Sequence, residues 1–166
     1  MKNSSKPKIL VVTACGRKKH DKPMPAWKLY KSSRIRAVYN RTQCCDYAIL
    51  SSKYGLVEAN REIAPYEQIM TKQKAADLVP QVMMKVKKFD YVVYYRGGAR
   101  KEYLECIKEA CREAARTLIV LGYANMGGIN NLAKVLELLE KNKLRKITHL
   151  NRTFVTIQER AKYCYQ

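Results

Sequence analysis

Residues 8–16 read Lys8-Ile9-Leu10-Val11-Val12-Thr13-Ala14-Cys15-Gly16. A short apolar run rich in branched side chains and closed by a glycine is the pattern of a strand buried on both faces. Three more runs repeat it: Asp46–Ser52 (DYAILSS), Asp90–Tyr95 (DYVVYY) and Thr117–Gly122 (TLIVLG). The segments between them have helical spacing. Ser32 or Ser33 is placed to cap a helix whose apolar face is Ile35, Val38, Tyr39 and Thr42. Ala75, Leu78, Val79, Val82, Val86 and Phe89 mark a second helical segment, which Pro80 must kink or restart. Arg100–Ala115 turns Tyr103, Ile107, Cys111 and Ala114 inward, and Ile129–Lys143 gathers Ile129, Leu132, Val135, Leu136 and Leu139 on one face. Four apolar strands, each followed by a helix, predict an α/β fold. The expected form is a three-layer sandwich with a mostly parallel central sheet of four or five strands.

The chain has 166 residues, which fits one domain over 1–166. Residues 1–7 form a polar lead, and residues 147–166 form a C-terminal extension expected to pack on the domain as a strand or an irregular cover. An apolar fraction of 47% is enough to build a core, so disorder is not expected. No apolar run approaches the ~18 residues of a membrane span, and the polar start does not resemble a signal peptide. The six cysteines include no C-x-x-C pair, and His20 and His149 lie far apart in sequence, so no metal site is expected. The expectation is a cytoplasmic protein with reduced thiols, no membrane partner and no cofactor.

Charge narrows the function. Thirty-three Lys and Arg face 14 Asp and Glu, a net +19. Residues 1–41 hold twelve basic residues and only Asp21, a net +11, whereas residues 42–83 sum to −1 and residues 84–166 to +9. An uneven surplus of this size points to a polyanionic partner, DNA, RNA or a nucleotide. Lys31, Arg34 and Arg41 fall on the helix face opposite the apolar one and are candidates for a nucleic-acid surface.

In open α/β sheets, ligands bind beyond the carboxyl ends of the strands. The four loops there contain Cys15-Gly16-Arg17-Lys18-Lys19, Ser51-Ser52-Lys53-Tyr54-Gly55, Arg96-Gly97-Gly98, and Gly122 through Asn125, Gly127 and Gly128. Glycine allows close backbone approach, and exposed N–H groups beside basic side chains suit an anion. With Ser32 and Tyr66, and leaving out Ser52, Arg96 and Gly122, these residues make up the candidate ligand or phosphate site. Neither G-x-x-x-x-G-K-[ST] nor G-x-G-x-x-G occurs, which disfavours a nucleoside triphosphatase and a dinucleotide oxidoreductase. Cys15 is a weak candidate nucleophile, because Arg17, Lys18 and Lys19 would favour its thiolate. Lys53 is placed to hold phosphate, while Tyr54 and Tyr66 are placed to stack on a base or to pack. Glu58, Glu62 and Glu67 face no second carboxylate cluster, so hydrolysis by a carboxylate pair is not supported.

These residues also carry a resemblance. Val11 to Lys19 is similar to the opening Ser/Cys-Gly-x-x-Lys signature of a widespread domain family of unknown function. Pro25-Ala26-Trp27-Lys28-Leu29-Tyr30 resembles its Pro-Ala…Leu-Tyr motif, and Leu50-Ser51-Ser52-Lys53-Tyr54-Gly55 its Leu-Ser-x-Lys-Tyr-Gly motif. That third segment, with Ile63-Ala64-Pro65-Tyr66 and Met70, also resembles the longer peroxide-stress protein YaaA family. A more distant likeness is to the lysine-transfer domain of archaeosine synthase. The resemblance covers residues 9–70 and implies a fold like that of uracil-DNA glycosylases, with a site at the strand ends. Three functions follow as expectations. The first is a nucleic-acid-associated protein with a nucleobase or nucleotide pocket. The second is an enzyme acting on a nucleobase in DNA or RNA, by glycosidic-bond or base-modification chemistry. The third is a stress-response nucleotide-binding protein.

Overall fold

All six residues of β1 (Ile9–Ala14) are buried, and the strand lies between two parallel neighbours. They are β3 (Asp46–Ser51) on one side and β6 (Tyr91–Tyr95) on the other. In the computed structural model the described residues are 6–42, 44–122 and 128–144, with 155–157 described as backbone. The remaining strands are β2 (Met24–Pro25), β4 (Gly55–Glu58), β5 (Glu62–Ile63), β7 (Thr117–Leu121) and β8 (Val155–Ile157). The helices are α1 (Ala26–Leu29), α2 (Ser33–Tyr39), α3 (Lys72–Val86), α4 (Lys101–Ala114) and α5 (Ile129–Glu140).

The main sheet runs β4-β3-β1-β6-β7-β8, and β2 pairs separately with β5. The four inner strands are parallel, whereas β4 and β8 run antiparallel at the two edges. α2 leads from β1 to β3, and α3 carries the chain back across to β6. Right-handed crossovers therefore place them on opposite faces. α3 and α4 pack against each other. Among the described residues no helix is long and apolar enough to cross a membrane.

The four expected strands are present within one or two residues of their expected ends. Three features correct the sequence reading. First, 55–58 adds an antiparallel edge strand beside β3, while 155–157 supplies at the other edge the strand expected of the tail. The segment Gly55–Glu58 reads as loop in sequence, but Gly55 at φ +73° turns the chain back and buries Leu56 and Val57 against β3. Second, a helix does not directly follow β3, because β4 and β5 intervene before α3. Third, Pro80 does not restart the helix, since α3 is continuous through Lys72–Val86. Pro80 and Ala76 are both exposed, so water can take the Ala76 carbonyl that the missing Pro80 N–H leaves without a donor.

The β4 edge is closed by a side chain. Gln81 on α3 accepts from the Leu56 N–H at 3.0 Å and donates to the Leu56 carbonyl at 3.4 Å. Lys85 Nζ donates to the same carbonyl at 2.6 Å. A carboxamide and an ammonium thus stand where a further strand would pair, which protects an otherwise open edge. A Cβ on Gly55 would collide with that same Gln81 carboxamide. Gly55→Ala is therefore expected to lower stability by about 1–2 kcal/mol from the left-handed backbone alone, with displacement of Gln81 adding to it. Urea unfolding checks this, and an unchanged midpoint would contradict the described turn.

Candidate functional site at the strand ends

Beyond Ala14 the chain stays pinned to its neighbours. The Cys15 N–H donates to Leu50 O at 3.0 Å, the Lys31 N–H to Lys18 O at 2.8 Å, and the His20 N–H to Leu29 O at 2.9 Å. These bonds fold residues 16–20 back against 29–31 and set Arg17, Lys18 and Lys19 beside Lys31. Arg17, Lys18, Lys31 and Lys53 are exposed. Lys19 Nζ donates to Arg17 O at 3.1 Å and sits 4.4 Å from the Tyr66 ring centroid. Lys53 Nζ lies 5.2 Å from the Tyr54 ring centroid. None of these five cations is ion-paired with a described residue.

Beneath the cations lies a buried cluster of hydroxyls and one thiol. Ser51 Oγ donates to the Tyr66 hydroxyl at 2.7 Å and accepts the N–H groups of Lys53 and Tyr54 at 3.1 and 3.0 Å. The Tyr66 hydroxyl is 2.7 Å from that of Tyr30. Ser52 Oγ donates to Gln68 O at 2.7 Å. Cys15 Sγ lies 3.1 Å from the Tyr103 hydroxyl and 3.9 Å from Ser52 Oγ. One strand end, the loop at 64–70 and α4 are joined through these bonds. Burial, reinforced by the Cys15 thiol, holds the Tyr30, Tyr66 and Tyr103 phenols well above the usual range. These phenols are thus neutral at physiological pH, and the cations stand at the rim.

The expected site residues divide accordingly. Cys15, Ser51 and Tyr66 are brought together but buried. Tyr66 is no open stacking platform, since Tyr54 meets it edge-on at 5.4 Å and Lys19 covers its face. Tyr54 is half-buried and donates to Ala64 O at 3.3 Å, so it packs. Ser32 acts as the cap of α2, accepting the Ile35 N–H at 3.3 Å. Gly16 lies in ordinary contact range of Tyr30 and Ser32, while Gly55 serves the β3–β4 turn. Gly97, at φ +55°, abuts Arg34, whose Cδ would be 2.6 Å from an added Cβ. Gly98 and Gly128 are exposed and face open space. Asn125 and Gly127 lie outside the described residues.

The trio expected to form a nucleic-acid surface also separates. Lys31 is exposed, but Arg41 Nη1 donates to Ala37 O of its own helix at 2.9 Å. Arg34 turns inward, and its Nη2 donates to Ala14 O at 3.0 Å and Cys15 O at 3.4 Å. Sequence reasoning missed Tyr30, Ser52 and Tyr103 as members of the cluster. The Leu29-Tyr30 and Ser51-Ser52 pairs were visible, but nothing local shows that α4 brings Tyr103 to Cys15. Among the described residues no group of three or more His, Cys, Asp or Glu could hold a metal ion. A cavity of about 490 Å³ lies at the opposite end, where the parallel strands begin, lined by Leu10, Tyr47, Asn60, Lys88 and Phe89 among others.

Two outcomes check this arrangement. Tyr66→Phe removes the shared partner of Ser51 and Tyr30 and is expected to cost about 1–3 kcal/mol in urea unfolding. An unchanged stability would show that the cluster is not formed. Tyr30, Tyr47, Tyr66, Tyr94 and Tyr103 all have raised phenol values, each mainly through burial. Their contribution is fully present below the ordinary phenol value of about 10 and is lost as pH rises above it, because the unfolded chain ionises first. Stability measured from pH 8 upward should therefore fall beyond about pH 10, with these five phenols titrating only on unfolding. Ionisation of all twelve phenols of the folded protein, these five included, would contradict the burial.

Residues 9–127 match the sequence pattern of a family of unknown function (DUF6884). No curated protein and no solved structure matches the chain.

Proposed function

The chain belongs to the DUF6884 family, and from that premise we propose that it is a nucleic-acid-associated protein whose contact surface is the carboxyl-end rim of its parallel strands. The observation that carries this reading is the grouping of Arg17, Lys18, Lys19, Lys31 and Lys53 there, none of them paired with a described carboxylate. Unpaired cations with extended stems meet phosphates at little desolvation cost and release counterions on binding. The uneven charge, +11 within residues 1–41, supports the same surface. So does the resemblance of residues 50–70 to the YaaA family, with the more distant likeness to the archaeosine synthase domain and the fold of the uracil-DNA-glycosylase kind that they imply. The buried cluster beneath the rim serves as the floor of a nucleobase or nucleotide pocket.

A second reading is favoured by Cys15, held 3.1 Å from the Tyr103 hydroxyl under the rim. In that reading the protein modifies or releases a nucleobase, with Cys15 as nucleophile. Base analysis of DNA and RNA after incubation with excess protein separates the two. Altered or released bases that require Cys15 support the enzyme, and none at all supports binding alone.

For binding, log affinity for an oligonucleotide should fall linearly with log salt, at about −0.9 per phosphate neutralised on duplex DNA. Lys18→Glu combined with Lys19→Glu should weaken binding by at least tenfold and flatten that slope. A salt-independent affinity, or one unaffected by the double substitution, would overturn the proposal.

A further inference from the structure

The order β4-β3-β1-β6-β7-β8 contains a switch point. From β1 the chain moves outward to β3 on one side, then returns to build β6 and β7 on the other. Open α/β sheets place ligands at such reversals, outside the carboxyl ends of the strands. Tyr95 is the last residue of β6 and pairs there with Thr13 of β1. Paired residues of neighbouring strands share a face. The Thr13 hydroxyl lies 2.6 Å from that of Tyr47, which donates to Ile35 O on α2 at 3.4 Å. Tyr95 therefore projects on the α2 face of the sheet.

Two glycines shape the space around its ring. Gly122 takes φ +73°, and an added Cβ there would stand 3.0, 2.7 and 2.8 Å from Cδ2, Cε2 and Cζ of Tyr95. Near-equal distances to three consecutive ring carbons put that point over the face of the ring, not beyond its edge. Bare backbone thus backs one face, in a left-handed conformation that favours glycine. Gly97, at φ +55°, borders the other edge, where a Cβ would be 3.5 Å from Cε1. The residue is only half-buried. No described aromatic ring or cation engages it, and no described residue bonds its hydroxyl. The other described tyrosines at this end of the sheet differ. Tyr30, Tyr54, Tyr66 and Tyr103 are each held by a ring contact or a hydroxyl bond.

We infer that Tyr95 is the platform on which a nucleobase stacks, with one face of its ring backed by Gly122 and the other turned to the ligand. This rests on the nucleic-acid function proposed above and narrows it. A base can lie on this ring only after leaving its own stack, so the partner is single-stranded nucleic acid. The rim lysines then meet the phosphates that flank the stacked base.

The test compares the wild-type chain with Tyr95→Leu and Tyr95→Phe at one salt concentration. The probes are a single-stranded oligonucleotide, an abasic strand of the same length, and free adenosine. Leucine keeps apolar cover over Gly122 but offers no π-face, whereas phenylalanine keeps the ring. Tyr95→Leu is expected to bind the intact strand about tenfold more weakly, the loss of one base–aromatic stack, and the abasic strand as before. Tyr95→Phe should bind both strands as the wild type does. Equal affinity of Tyr95→Leu and wild type for the intact strand would overturn the inference, as would an equal loss on intact and abasic strands; the ring would then be packing alone. A loss in Tyr95→Phe as large as in Tyr95→Leu would assign the effect to the hydroxyl and also overturn stacking. Should Tyr95→Leu fail to fold, ultraviolet crosslinking of the wild type to a bromouracil-containing strand decides. Attachment at Tyr95 supports the platform, and attachment only elsewhere overturns it. Adenosine separates this claim from the nucleic-acid reading. Strand binding indifferent to Tyr95 removes only the platform. Adenosine binding that Tyr95→Leu abolishes, with no strand bound, removes only the nucleic-acid reading. Binding of neither by the wild type overturns both.

Discussion

The fold depends on one constraint, the burial of β1 on both faces and along both edges. Ile9–Ala14 can hide that much apolar surface only if its backbone groups are met by β3 and β6 and its side chains by helices above and below. Parallel pairing on both sides then brings three strand ends to one place. The chain must leave that place as polar loops, because a buried loop would strand its own amide groups. The concentration of Ser, Tyr, Cys and Lys at this edge is a consequence of how the centre of the sheet is built.

What happens to those polar groups separates floor from rim. Ser51, Ser52, Tyr30, Tyr66 and Tyr103 satisfy one another or nearby carbonyls, so they hold the loop at 64–70 against the strand ends and stay neutral. The lysines above find no described carboxylate and remain available to solvent. The interior thiols differ again. Cys106 and Cys111 are buried on α4, which pushes both up to about 12 and makes them core residues rather than reactive ones.

Much of this was legible in the sequence. Short branched apolar runs such as KILVVTA and TLIVLG announce buried strands with little ambiguity, and the Gly- and Lys-bearing loops after them locate the site edge. Four things were not legible. Leu56 and Val57 look like part of a loop because a four-residue edge strand leaves almost no periodicity. Pro80 looks like a restart because spacing alone does not show that the Ala76 carbonyl faces water, where the helix can run on. Arg34 looks like a surface cation because helical spacing gives the direction of a side chain but not its reach, and a long arginine near a helix start can fold over a strand end. Tyr103 reads as an ordinary core aromatic, and only the packing of α4 brings its hydroxyl to Cys15.

The central claim is that nucleic acid meets this protein at the carboxyl-end rim and not at the cavity at the opposite pole. Lysine acetylation footprinting with and without a saturating oligonucleotide tests it most directly. The account predicts protection of Lys18, Lys19, Lys31 and Lys53, with Lys85 and Lys88 at the opposite end reacting as before. Protection of Lys85 and Lys88 with the rim lysines unchanged would contradict it.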